Sequence, residues 1–129
     1  MDLITAVVSC ILTIESANGT DLRSGDDGKA VGPFQMWTIA VDEANRIDAL
    51  YARRFGRKAR LWTYDDRNKI TESRDMCALT LLWHHYSGVE DAVDLACRWN
   101  RPDGSLNQAY RNKVIKYFGA KPQQEPSGG

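Results

Sequence analysis

The chain has 129 residues at 14.5 kDa, long enough to bury one hydrophobic core without disulfide or metal staples. Apolar residues make up 43% and charged residues 26%, a mix that excludes a disordered chain or a coiled coil. Seventeen Lys and Arg balance seventeen Asp and Glu, so the basic excess by which proteins hold nucleic acid or anionic lipid is missing and no nucleic-acid partner is expected.

Leu3, Ile4, Val7, Val8, Ile11 and Leu12 recur at i, i+3, i+4 spacing and predict a helix over residues 3–16. The apolar run Ile4–Ile14 has the acidic Asp2 before it and no small-residue cleavage site before Glu15, so it does not read as a signal peptide. No run approaches the ~20 apolar residues of a membrane span. Three routes stay open: a cytoplasmic chain, export by another route, or a leader already removed. Residues 18–35 break the helical period with Gly19, Gly25, Gly28, Gly32 and Pro33, while Asp21, Asp26 and Asp27 add turn chemistry. That stretch is expected to be an irregular lobe or short hairpin, with Gly25, Gly28 and Gly32 at positive φ.

A second helix is expected over 38–55, with Val41, Ala44, Ile47, Leu50 and Tyr51 inward, Arg53 and Arg54 in its last turn, and Gly56 past its end. Thr63 with Asp66 three residues on resembles a capping box and starts a turn or short helix. Further helices are expected over 68–86, 89–99 and 106–118, the last with Leu106, Ala109, Tyr110, Val114 and Tyr117 on one face. Residues 120–129, with two Pro, two Gly and no large apolar side chain, read as a disordered tail. The expected architecture is all-α, a single helical domain over 1–119 with a lobe after its first helix, and a monomer.

Cys10, Cys77 and Cys97 are odd in number, lack C-x-x-C spacing and lie in apolar helical stretches. They read as buried thiols, with one disulfide left open. Adjacent His84 and His85 point about 100° apart on a helix and lack a ligand partner at i+4, so they read as structural. Asp26-Asp27-Gly28 lacks the alternating oxygen ligands of a calcium loop. No metal or cofactor is expected.

Glu15 follows Val8, Ile11 and Leu12 on the apolar face of the first helix, at its C-terminal end. Burial and the negative end of the helix dipole would both raise its pKa, as a general acid requires. Pattern alone leaves a second reading, in which Glu15 turns to solvent or pairs with an arginine.

Glu15-Ser16 closing the first helix, Gly32-Pro33-Phe34-Gln35 after a glycine-rich turn, Trp99-Asn100 ending a helix, and Tyr110 in the next helix occur in that order. The set resembles the lysozyme-like family of goose-type lysozymes and soluble lytic transglycosylases, over about residues 3–118. It is closest to bacterial and phage single-domain members, which share a Gly-Lys-Ala-x-Gly-x-x-Gln run and an Asp-Asp-Arg segment, here Asp65-Asp66-Arg67. The resemblance implies a lysozyme-like fold, α+β at most, and cleavage of β-1,4-linked N-acetylhexosamine polymers, foremost peptidoglycan. It implies action at the cell wall, whether periplasmic, extracellular or virion-associated. It makes Glu15 the acid and Asp26 a carboxylate that helps to orient water. Gln35, Asn100 and Tyr110 would supply hydrogen bonds to sugar or acid, with Ser16 beside them, and Trp99 would stack on a sugar. A second aspartate of the family is missing, and Trp37 stands in its place.

Two chemistries remain open. Water positioned by Asp26 gives an inverted, hydrolysed sugar, whereas attack by the substrate's own C6 hydroxyl gives an anhydro ring. A glycan-binding module without activity is the competing class, favoured by the neutral charge and opposed by the acid on the apolar stripe. Asp26 and Asp27 between glycines also read simply as turn formers.

Overall fold

The computed structural model describes residues 2–120. Its helices are α1 (Leu3–Ser16), α2 (Thr38–Phe55), α3 (Ile70–Tyr86), α4 (Ala92–Asn100) and α5 (Gln108–Ala120), with one-turn segments at Asp26–Gly28 and Tyr64–Asn68. Among the described residues there is no named strand, only the isolated antiparallel bridges Gly25–Ala30 and Val31–Met36. The fold is all-α with a hairpin-like lobe after α1, and none of the described helices is long and apolar enough to cross a membrane.

α1 is the internal helix. The Asp2 carboxylate accepts the Thr5 N–H at 2.8 Å and fixes its start, and Ala17 at φ +49 ends it in the left-handed region. Val7, Cys10 and Ile11 are fully buried, and the helix packs against α3, α4 and α5. Phe34, Met36, Val41, Met76, Leu81, Leu95 and Val114 complete the core from the lobe and the other four helices. Each such side chain contributes roughly 1.5–3 kcal/mol by leaving water.

α2 has the expected bounds, with Gly56 at φ +66 stopping it. Its inward face differs: Leu50 is exposed and Asp48 is buried in its stead. The chain after α2 folds back, so that the Arg57 guanidinium reaches Asp48 at 2.8 and 3.1 Å and the Arg60 N–H at 2.6 Å. Those donors hold the Asp48 carboxyl below its usual range, Arg57 first among them. α3 starts at Ile70 rather than 68, because Tyr64–Asn68 forms its own turn, in which Asp66 accepts the Thr63 N–H at 2.8 Å. α4 starts at Ala92 rather than 89, where Asp91 accepts the Asp94 N–H. α5 starts at Gln108 rather than 106, where Asn107 accepts the Tyr110 N–H at 3.2 Å, leaving Leu106 exposed. α5 continues to Ala120; the tail expected from there lies outside the described residues from 121 on.

The lobe is held by side chains. Gln35 Oε1 accepts the Gly25 N–H and its Nε2 donates to the Gly32 carbonyl, both at 3.0 Å. Gly28 and Gly32 have the expected positive φ. Gly25 does not, at φ −97; a Cβ there would sit 2.9 Å from Gln35 Oε1, so the Gln35 amide would have to shift. Arg67 docks the lobe onto the Tyr64–Asn68 turn, donating to Tyr64 O, Met36 O and Lys29 O at 2.8, 3.2 and 3.4 Å. Cys10 and Cys77 are buried, Cys97 is half-buried, and none joins a disulfide. His85 contacts the Val89 carbonyl through Nδ1, and burial pushes the half-buried His84 imidazole pKa down.

Candidate active site

The C-terminal turn of α1 opens into a cleft of about 680 Å³. The lobe supplies Asp26, Gln35 and Trp37, the start of α2 supplies Ile39, the end of α4 supplies Trp99 and Asn100, and α5 supplies Tyr110 and Lys113. Tyr110 thus meets Glu15 across 95 positions of sequence.

Glu15, in the last turn of α1, is half-buried and lines the cleft. Its pKa is pushed up to about 7 by burial; the Tyr110 hydrogen bond and the Lys113 charge pull against that, and the Asp26 charge adds to it slightly. Tyr110 Oη donates to Glu15 Oε2 at 3.0 Å and fixes the carboxyl's direction. Burial and the adjacent Glu15 push the Tyr110 phenol pKa far up, so it remains a donor. Near neutral pH the cleft therefore holds a carboxyl able to give up a proton, which is the property of a general acid.

Asp26 stands in an exposed turn on the rim of the same cleft, its Oδ2 accepting the Trp37 indole N–H at 3.1 Å. Trp99 donates its indole N–H to Phe34 O at 3.2 Å and meets the Phe34 ring edge-on at 6.4 Å, which fixes the ring at the cleft wall. Asn100 Oδ1 accepts from Asn107 Nδ2 at 2.8 Å, which leaves the Asn100 amide hydrogens for a ligand. Gln35 lines the cleft, but both ends of its amide are engaged in the lobe, so its place is to hold the hairpin closed. Ser16 does not line the cleft. It is buried, its Oγ donates to Leu12 O and accepts the Gly19 N–H, and it shapes the exit of the chain from α1. A role for Ser16 in touching substrate is therefore corrected to a structural one.

Asn107 and Lys113 belong to the site and carried no signal of their own in the sequence. Their spacing from Tyr110, three residues to either side on one helical face, is the pattern that finds them once Tyr110 is placed. Among the described residues no group of three His, Cys, Asp or Glu is arranged to hold a metal ion. Set against models of known protein families, characterised proteins and solved structures, the chain matches none.

Proposed function

We propose that the protein is a peptidoglycan-cleaving glycosidase, a muramidase acting on the β-1,4 links between N-acetylmuramic acid and N-acetylglucosamine, with Glu15 as general acid. The observation that carries this reading is the Glu15 carboxyl, half-buried, held by Tyr110 and with its pKa raised to about 7 in the cleft. Glu15 protonates the glycosidic oxygen as positive charge develops at C1, and water oriented by Asp26 attacks from the opposite side. Trp37 and Trp99 offer aromatic surface to sugar rings, and Asn100 offers amide hydrogens. The choice of peptidoglycan as polymer rests on the resemblance of the four sequence elements.

The exposure of Asp26 favours a second outcome at the same site. Glu15 is the carboxyl withdrawn from water, and once deprotonated it can take the proton of the substrate's C6 hydroxyl, giving 1,6-anhydro ends as a lytic transglycosylase does. A glycan-binding module without activity fits less well, since binding gains nothing from a carboxyl kept protonated by burial.

Isolated peptidoglycan treated with the wild-type chain should release soluble glycan fragments, identified by mass. Glu15→Gln should lower that release by on the order of 10²–10⁴ with an unchanged circular dichroism spectrum, the usual worth of a general acid. Equal release by both proteins would remove Glu15 from the chemistry, and binding without release by the wild type would leave the module reading.

A further inference from the structure

The bond between Trp37 and Asp26 joins the start of α2 to the turn of the lobe. Trp37 stands at the N-cap of α2, with its carbonyl accepting the Ala40 N–H at 3.0 Å, and follows Met36, which is bridged to Val31. Asp26 begins a turn in which both it and Asp27 hold positive φ, +52 and +56. Left-handed backbone at two consecutive non-glycine residues is disfavoured, and it persists where the surroundings over-determine it. Here the Gly25–Ala30 bridge and the Gln35 amide hold the turn from below, and the indole holds it from the cleft side.

Trp37 is 41% exposed, and Lys29 Nζ lies 5.3 Å from its ring centroid. Trp37 thus lines the cleft with its indole edge bonded to a carboxylate and one face under a cation. The indole occupies Asp26 Oδ2 and leaves Oδ1 for another donor.

We infer that Trp37 is a positioning residue, whose indole N–H holds Asp26 over the cleft and thereby decides whether water or the substrate's own hydroxyl completes the reaction. The inference rests on the glycosidase reading. In hydrolysis the Glu15 proton goes to the glycosidic oxygen, the C1–O bond breaks with its electron pair on that oxygen, the water oxygen bonds to C1, and the water's proton passes to Asp26. In ring closure the C6 oxygen bonds to C1 instead, and its proton returns to Glu15. No water is consumed, so each new end is one water lighter. Only the first route needs Asp26 at a fixed place.

The test counts hydrolysed and anhydro ends by mass on isolated peptidoglycan, using the full chain. Trp37→Phe keeps a ring against Lys29 and removes the donor. It should lower the ratio of hydrolysed to anhydro ends at least about tenfold, the worth of one hydrogen bond to a charged group, with kcat for hydrolysis falling and KM little changed. Trp37→His returns a ring N–H and should recover part of the ratio. Asp26→Asn should lower the ratio as far, and Trp37→Phe added to it should change nothing further, because Trp37 acts through Asp26. If Trp37→Phe loses the wild-type circular dichroism, the comparison of Trp37→His with Asp26→Asn decides. A wild-type ratio in Trp37→Phe, multiplying effects in the double variant, or only anhydro ends from the wild type would each overturn the inference while leaving Glu15 as the acid. Release by the wild type no greater than by Glu15→Gln would instead bring down the glycosidase reading, and this inference with it.

Discussion

Glu15 is legible in the sequence because it breaks a pattern: a carboxylate where the helical period calls for an apolar side chain. Tyr110 breaks none, since an aromatic residue at helical spacing reads as core, and it is in fact buried. Lys113 reads as an ordinary exposed lysine until α5 is laid across the end of α1. Yet these two temper the rise that burial gives the Glu15 pKa. In the proposed mechanism Glu15 acts protonated, so activity should fall as pH rises through about 7. The Tyr110 hydrogen bond and the Lys113 charge both favour the ionised carboxylate, so removing either should raise the Glu15 pKa and carry the falling limb of kcat/KM to higher pH. Tyr110→Phe should shift it further than Lys113→Met, because the hydrogen bond is the larger of the two effects. The lysine is exposed to solvent, so its effect should also fade as salt is added. A limb that moves to lower pH in Tyr110→Phe would mean that the phenol does not act on the ionised carboxylate.

At the scale of elements, the helices announce themselves locally and the lobe does not. α1 and α2 have the bounds their periodicity and end signals indicate, because Ala17 and Gly56 end them within the same stretch of chain. The sequence pattern places the starts of α4 and α5 two or three residues early, since Val89 and Leu106 continue it past the true caps Asp91 and Asn107, whereas at α3 the polar Asn68 and Lys69 belong to the preceding turn and the cap. The glycines of 18–35 signal turns, but the lobe's shape depends on Arg67, which lies 31 positions beyond Met36. Gly32 is where that distant contact constrains the sequence. At φ +81, a Cβ there would sit 1.9 Å from the Arg67 carbonyl oxygen, so the lobe and the Tyr64–Asn68 turn meet backbone to backbone. Gly32→Ala should destabilise the protein by about 2 kcal/mol or more, combining left-handed strain with a contact that has to open. Activity at temperatures well below unfolding should fall as well, because Asp26 and Trp37 move with the lobe, while the helical circular dichroism stays. Wild-type stability and activity in Gly32→Ala would show that the lobe does not depend on this contact.

Across the whole molecule, the raised pKa of Glu15 carries a cost in stability that depends on pH. Glu15 has its ordinary 4.5 in the unfolded chain and about 7 in the folded one. Between those values the folded state keeps a proton that the unfolded state has lost, so the Glu15 contribution to stability is fully present below 4.5 and is lost as pH rises to 7 and beyond. The loss amounts to about 3 kcal/mol, a large share of the 5–15 kcal/mol typical of a domain. Asp48 runs the other way: its depressed pKa contributes stability above its ordinary 3.8, lost as pH falls below it. Glu15→Gln removes the first titration, keeps the shape and leaves an amide oxygen to accept from Tyr110. The variant should match the wild type near pH 4.5 and exceed it by about 3 kcal/mol at pH 8, read from urea unfolding at the two values. Gain of stability at pH 8 together with loss of cleavage is what a carboxyl kept for its proton should give. A side chain kept for packing should give loss of both. If the difference between the two proteins is the same at pH 4.5 and pH 8, Glu15 titrates alike in the folded and unfolded chain, and the cleft has no general acid.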